Sequence, residues 1–294
     1  MIDTSASRKL LRAIIRTARP KQWVKNGIVL AGLIFSLNLF NWPSFWRALA
    51  AAADFCLISS AVYFMNDLFD IEKDRRHPTK RFRPIASGQL SVAVAVGVAA
   101  VLSVVAGFIA SVLGPSFALT ALGYVGLQVA YSARLKQIVI IDVLAIAAGF
   151  VLRAVAGAVV IPVPISPWLL VCTVLLALFL ALTKRRAELS LLQDGATEHR
   201  PILEQYSVDM LDQMINVVTA STVMAYSLYT FTAGRTPYLM LTIPFVLYGI
   251  FRYLFLVHKR DAGGSPEQAL LRDRPLMVNV LLWVAVSVAI LYYT

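Results

Sequence analysis

The chain has 294 residues, of which 59% are hydrophobic and 15% charged, with a mean hydropathy of +0.73. A soluble domain carries roughly 25% charged residues, so this composition excludes a globular protein that meets water on every side. The net charge of +11 would suit nucleic acid if it formed one basic patch, but the cations lie between apolar runs.

A bilayer span needs about 20 mostly apolar residues. In chain order the predicted spans are Gln22–Phe40, Trp46–Leu68, Ser91–Leu113, Phe117–Ser132, Ile138–Ile161, Trp168–Leu182, Leu211–Thr232, Pro237–Val257 and Pro275–Tyr293. The expected fold is all-α: a polytopic membrane protein with about nine transmembrane helices. No hydrophilic block is long enough to fold separately, so residues 1–294 are read as a single transmembrane domain. The first apolar run, Ile28 to Phe40, lacks a small-residue cleavage site and is expected to be retained as structure.

The connections alternate in charge. Of the 27 Lys and Arg residues, all but Arg47, Arg153 and Arg235 fall before the first span, in every second connection after it, or, for Lys25 and Arg252, inside a span toward its basic end. Arg47 and Arg235 are on the opposite side and Arg153 is inside a span. By the positive-inside rule the basic side is cytoplasmic, which puts the N-terminus inside and the C-terminus outside. The outward connections, such as Gly114–Ser116 and Pro162–Pro167, are short and built from turn residues. The inward ones, Phe69–Leu90, Thr183–Met210 and His258–Arg274, are longer and polar, and such loops tend to carry function. Cys56 and Cys172 are far apart within predicted spans and are read as packing residues.

The first inward loop opens with Asn66-Asp67-Leu68-Phe69-Asp70-Ile71-Glu72-Lys73-Asp74. On a helix Asn66, Asp67, Asp70 and Asp74 share one face. Three carboxylates on one stripe repel each other unless a cation neutralises them, and hard oxygen donors at this spacing suit Mg²⁺ with phosphate oxygens and water. The competing reading is a solvated helix end, since Lys73, Arg75 and Arg76 are adjacent. After the stripe, Pro78 and Pro84 enforce a loop that holds Lys80, Arg81 and Arg83, cations able to clamp a phosphate that the metal also holds. The same cluster could instead attract anionic lipid. His77 has no partner at metal-ligand spacing.

A second inward corner, Tyr131-Ser132-Ala133-Arg134-Leu135-Lys136, is followed by Asp142. It reads equally as an interfacial Tyr with topogenic charges or as part of a site. Arg153 and Asp54 lie within spans and need a partner or a polar cavity, and they could pair with each other. In the third inward loop, Lys184 and Glu188 are four apart, with Arg185 adjacent, which allows a plain helix-end salt bridge or a place at the site. Ser265-Pro266-Glu267 reads as a helix start leading to Arg272-Asp273-Arg274, charges that either close the site or sit at the lipid surface.

Asn66-Asp67-x-x-Asp70-x-x-x-Asp74 followed by Arg83-Pro84-Ile85-x-x-Gly88 resembles the first signature of the UbiA-type intramembrane prenyltransferase superfamily, and Tyr131-Ser132 with Leu135-Lys136 resembles its next. Most members carry a second Asp-rich motif where this chain has Lys184-Arg185-Arg186-Ala187-Glu188-Leu189, with Asp194 beyond. That variant, together with the His77 to Ala86 run and Leu271-Arg272-Asp273-Arg274, resembles the decaprenyl-phosphate phosphoribosyltransferase branch.

The resemblance implies a Mg²⁺-dependent transfer of the 5-phosphoribosyl group from 5-phosphoribosyl 1-diphosphate to a polyprenyl phosphate, for cell-envelope polysaccharide precursors. It would take place at the cytoplasmic face of a bacterial inner membrane. The metal set would be Asn66, Asp67, Asp70 and Asp74, with the three aspartates as the catalytic carboxylates. Lys80, Arg81, Arg83, Lys136, Lys184 and Arg185 would bind phosphates, and Tyr131 and Glu188 would orient them. A donor with phosphates at both ends carries more negative charge than a prenyl diphosphate, which suits Lys184 and Arg185 in place of acids. The expected partners are these substrates and the lipid bilayer, without nucleic acid; a homo-oligomer is compatible. Two rivals share these features: an ordinary prenyltransferase using a prenyl diphosphate, and a transporter. No pair of broken hydrophobic segments of the inverted-repeat kind is evident to favour the transporter.

Overall fold

The long apolar runs become long helices, and the Pro, Gly and Asn punctuation becomes their turns. The computed structural model describes residues 4–193, 201–232, 236–259 and 265–293. Asp194, Arg200, Arg235, Arg260 and Thr294 lie outside the described residues. Helix α1 (Thr4–Ala18) is amphipathic and leads into a 3-10 helix, Pro20–Leu30, continued by α2 (Ala31–Phe35). Then come α3 (Trp42–Phe69), the short α4 (Ile71–Arg76), α5 (Val92–Leu113), α6 (Pro115–Ala133) and α7 (Ile141–Val160). The second half holds α8 (Pro167–Gln193), α9 (Val208–Thr232), α10 (Ile243–Lys259), α11 (Pro266–Arg272) and α12 (Arg274–Tyr293). No strand occurs among the described residues.

Six segments among the described residues are long and apolar enough to cross a bilayer. Exposed Val101, Val104, Phe108 and Val112 along α5 form the kind of apolar flank that lipid covers. This is a multi-pass membrane protein. Helices α6 and α9, with 19 and 25 residues, are as long but carry more polar side chains.

The sharpest departure from expectation is at the first predicted span. Gln22–Phe40 does not form one α-helix; an 11-residue 3-10 helix precedes the five residues of α2. Pro20, Gly27 and the β-branched Val24, Ile28 and Val29 make this a poor α-helix former. The 3-10 form is also thin enough to lie directly on α7. There the α carbon of Gly157 meets the Val29 backbone so closely that a Cβ at Gly157 would run into the Val29 carbonyl oxygen, while one at Gly32 would lie 3.1 Å from Ala158 N. Backbone cannot yield as a flexible side chain does. Gly157→Ala should therefore destabilise the bundle at or beyond the ~3 kcal/mol upper end of ordinary overpacking, read as a lowered melting temperature in detergent. A melting temperature equal to that of the unmodified chain would disprove the close approach.

Small residues let the other helices pack tightly. Ala95, Ala99, Ala106 and Ala110 form the buried stripe of α5 that faces α3. At the end of the bundle away from residues 66–74, Arg47 donates from Nε to the Val160 carbonyl at 2.8 Å and from Nη2 to the Leu113 carbonyl at 2.6 Å. It thereby caps the last carbonyls of α7 and α5 with a positive charge. Two apolar clusters fill the bundle, one around Phe55, Phe117 and Tyr124, the other around Phe179, Tyr253 and Leu211. Cys56 and Cys172 are both free.

Candidate active site

Consecutive long helices run antiparallel, so the ends of α3, α6, α8 and α10 share one face of the bundle with the starts of α5, α7, α9 and α12. The acidic motif is at the end of α3. Helix α3 stops at Phe69 and α4 begins at Ile71, with Asp70 between them at φ −94°, ψ 10°. The hydrogen bonds from Asp70 N to the Asn66 carbonyl (3.0 Å) and from Asp74 N to the Asp70 carbonyl (2.7 Å) carry the helical register across the break. The helical register thus runs from Asn66 to Asp74 with a bend at Asp70.

Asp67 and Asp74 are 2% and 3% exposed. Arg83 Nη1 lies 3.0 Å from Asp67 Oδ1 and 2.7 Å from Asp74 Oδ2, so the two carboxylates converge on one point. Arg19 Nη2 donates to the same Asp67 Oδ1 at 2.6 Å, and its guanidinium stacks over Tyr63 at 4.8 Å. The loop that brings Arg83 back is anchored by buried Ile85 and Leu90, which share a cluster with Phe64, and Ala86, next to Ile85 in sequence, is buried too. Its turn uses Gly88 at φ 76°, a conformation suited to glycine. His77 is used locally: Nδ1 accepts from Thr79 N and Lys80 N, both at 3.2 Å, shaping the turn that presents Lys80. Arg81 stacks on Phe82 at the exposed side. Asn66 Oδ1 accepts from Ser132 Oγ at 2.9 Å, which ties the first motif to the second. Lys136 is half-buried on the 3-10 turn Leu135–Gln137 next to that tie.

A second cluster centres on Arg185, which is 1% exposed. Nε donates to Asp142 Oδ2 at 2.7 Å, Nη1 to Glu188 Oε2 at 2.7 Å and Nη2 to Tyr131 Oη at 3.1 Å. The sequence-predicted Tyr131, Arg185 and Glu188 are thus brought together, with each of Arg185's three guanidinium nitrogens engaged by protein. Asp142, wholly buried, also accepts from Tyr206 Oη at 2.8 Å. Burial pushes the Tyr206 phenol up to about 12, so it remains a donor. Tyr206 itself accepts from Ile140 N at 2.8 Å, where Ile140 holds φ 68° at the start of α7. Arg186 instead forks onto Asp212 of α9.

Within α7, Arg153 donates to Asn26 Oδ1 at 2.8 Å and Tyr124 Oη at 2.6 Å, and it lies over the Tyr124 ring. It does not pair with Asp54, whose carboxylate accepts no hydrogen bond among the described residues. Sequence reasoning missed the link from α11: Gln22 Nε2 donates to Glu267 Oε1 at 2.5 Å, and Lys25 Nζ lies 3.3 Å from Glu267 Oε2. Burial works to raise the Glu267 carboxyl, but Lys25, Gln22 and the nearby charge of Lys184 outweigh it and hold the group below its ordinary value. Asp273 caps α12 through Leu276 N at 2.9 Å and receives Arg252, so that part of the last loop is structural.

The first cluster fits a divalent cation in donor chemistry and in one geometric respect. All its donors are hard oxygens, and the point where Asp67 and Asp74 converge already holds a cationic nitrogen of Arg83. Asp70 does not join them there, and no three acidic, His or Cys side chains among the described residues converge as a closed metal site.

A helical membrane bundle with buried carboxylates and cations interleaved at one mouth is the architecture of an embedded site for anionic substrates. The chain matches the family model described as the UbiA prenyltransferase family over residues 27–272, and it belongs to that family. It is 36% identical to the decaprenyl-phosphate phosphoribosyltransferase of Corynebacterium glutamicum, over 97% of this chain and 88% of that one. To the protein of the same name from Mycobacterium tuberculosis it is 34% identical, over 97% and 96% of the two chains. A solved UbiA homologue from Archaeoglobus fulgidus, bound to GPP and Mg²⁺, superposes with a TM-score of 0.72 at 20% identity, covering 95% of this chain and 99% of that chain. At that identity the likeness is one of fold.

Proposed function

We propose that this chain transfers the 5-phosphoribosyl group from 5-phosphoribosyl 1-diphosphate to a polyprenyl phosphate and releases diphosphate. The observation that carries the reading is the make-up of the second half of the site. There Lys25 and Lys184 stand around the single carboxylate of Glu267, a balance suited to a donor with phosphates at both ends. The near full-length similarity to two decaprenyl-phosphate phosphoribosyltransferases supports the same reading.

Asp67, Asp70, Asp74 and Asn66 would hold Mg²⁺, with Arg83 moving aside or sharing the site. When bound, the ion would neutralise the diphosphate leaving group. Lys80, Arg81, Arg83, Lys136 and Lys184 grip phosphate oxygens of the two substrates, and Tyr131 and Glu188, fixed by Arg185, orient them. An oxygen of the polyprenyl phosphate forms the new bond to ribose C1 as the bond from C1 to diphosphate breaks. At neutral pH that oxygen is already anionic, so no strong general base is needed.

The membrane reading extends this. The 3-10 segment rises about 2.0 Å per residue, so Pro20–Leu30 with α2 reaches roughly 30 Å and can cross in fewer residues than an α-helix. With α6, α9 and the six more apolar segments, the crossings would number nine among the described residues. The N-terminus and the site then face the cytoplasm and the C-terminus lies outside, in a bacterial inner membrane. The lipid chain of the acceptor leaves sideways into the bilayer, since exposing it to water costs about 0.8 kcal/mol per CH₂.

The test is direct. Purified protein with Mg²⁺, polyprenyl phosphate and donor labelled in the ribose should move label into the organic phase, and a chelator should stop it. Transfer of a prenyl group from a prenyl diphosphate to an aromatic acceptor, with no ribose label extracted, would return the chain to the ordinary prenyltransferase reading.

A further inference from the structure

Glu267 is a puzzle as a structural residue. It starts α11, in the last inward connection, yet it turns its carboxylate into the protein to 5% exposure. Oε1 is served by Gln22, but Oε2 accepts no hydrogen bond among the described residues, although Lys25 Nζ is 3.3 Å away. A buried carboxylate oxygen left without a hydrogen bond is costly and rare in native proteins. It is the condition expected where a ligand completes the shell.

The surroundings say what that ligand is. Lys184 and Tyr63 are both within electrostatic reach of Glu267, and Tyr63 lies beneath Arg19, which is bonded to Asp67 of the acidic stripe. The carboxylate therefore belongs to the same mouth as the metal-type cluster, on its other side. Two lysines beside it attract an anion, but the carboxylate itself repels a phosphate oxygen. The ligand group that joins Lys25 at Oε2 is best a neutral donor attached to an anion: a hydroxyl on a phosphorylated sugar.

We propose that Glu267 accepts a hydrogen bond from a ribose hydroxyl of the donor, with Lys25 and Lys184 flanking it to take a phosphate of the same molecule. This rests on the phosphoribosyl reading and deepens it. Prenyl diphosphates carry no hydroxyl, so Glu267 is the residue that selects a sugar donor over a prenyl one.

The experiment compares the full donor with its 2-deoxy and 3-deoxy analogues, and uses inorganic diphosphate as a competitor that has phosphates but no hydroxyl. The wild-type protein should disfavour at least one deoxy analogue by about ten- to a hundredfold in kcat/KM, the range expected for one hydrogen bond to a charged acceptor. Glu267→Leu should lose a similar factor with the full donor and no longer distinguish the analogue. Its inhibition by diphosphate should hold or strengthen, since a repelling charge beside the lysines is gone, and its KM for polyprenyl phosphate should stay within about twofold, because those ligands lack the hydroxyl. Glu267→Gln, which keeps a neutral acceptor, should fall between. Equal use of all three donors by the wild-type protein overturns the proposal, and this arm needs no variant to fold. So does a Glu267→Leu protein that still discriminates, or one that loses diphosphate affinity in parallel, since Glu267 would then only support Lys25. If the wild-type protein moves no ribose label from the full donor, it is the phosphoribosyl reading that fails.

Discussion

Asp70→Asn is expected to lower turnover by on the order of a hundredfold to a thousandfold, the scale for losing one electrostatic stabiliser of a transition state, without changing the melting temperature. The expectation separates chemistry from folding. Asp67 and Asp74 each hold arginines, so Asn at either position breaks ion pairs with Arg83 or Arg19 as well as removing a ligand. Asp70 is half-buried, and no side-chain hydrogen bond or ion pair holds its carboxylate among the described residues. Its loss therefore costs the fold almost nothing, and any fall in rate reports on cation and diphosphate binding. The substitution keeps the side chain's volume and one oxygen, so a raised Mg²⁺ concentration should recover part of the rate. Paired measurements of labelled transfer and thermal unfolding in detergent decide the matter. Near-normal turnover in Asp70→Asn would falsify the metal-stripe reading, and Arg83 between Asp67 and Asp74 would then be a purely structural bridge.

Much of the architecture was legible in the residues because membrane crossing is a property of composition over about 20 positions. The apolar runs predicted helices α3, α5, α7 and α12 to within a turn or so. They also predicted the start of α8, which then runs on past the expected Leu182 to Gln193, because its last turns are too polar to read as span. The acidic motif was visible as spacing. What composition could not reveal was pairing at long range. Arg19 was one topogenic charge among many, yet it reaches 48 positions along the chain to Asp67. Arg185 was legible as a cation near the site, but its partner Asp142 is 43 positions away and Tyr206 comes from a different loop. Glu267 read as an ordinary first-turn acid of a helix; that it points inward depends on how α11 docks against the segment holding Gln22 and Lys25. The 3-10 geometry of Pro20–Leu30 escaped for a similar reason, since its close fit against Gly157 is a tertiary fact.

Arg185→Ala should cost about 3–5 kcal/mol of stability, the range for removing one partner of a buried ion pair. Asp142 is wholly buried and would keep Tyr206 alone as a side-chain donor among the described residues, while Tyr131 and Glu188 would lose the guanidinium that positions them. Arg185→Lys should not rescue, because an ammonium is a point charge that cannot span three acceptors in the fixed fork of a guanidinium. Asp142→Asn should be milder, since its amide oxygen still accepts from Tyr206. The decisive measurement is a double-mutant cycle with Asp142→Leu and Arg185→Leu. If the two charges exist chiefly for each other, the double variant should be more stable than the sum of the single losses predicts, since neither charge is then left alone. Its activity should nevertheless stay low, because Tyr131 and Glu188 would still lack the Arg185 guanidinium between them. The opposite pattern is a stable Arg185→Lys protein whose only defect is a raised KM for a phosphate substrate. That result would mean Arg185 leaves Asp142 to grip substrate, as its position in the sequence first suggested.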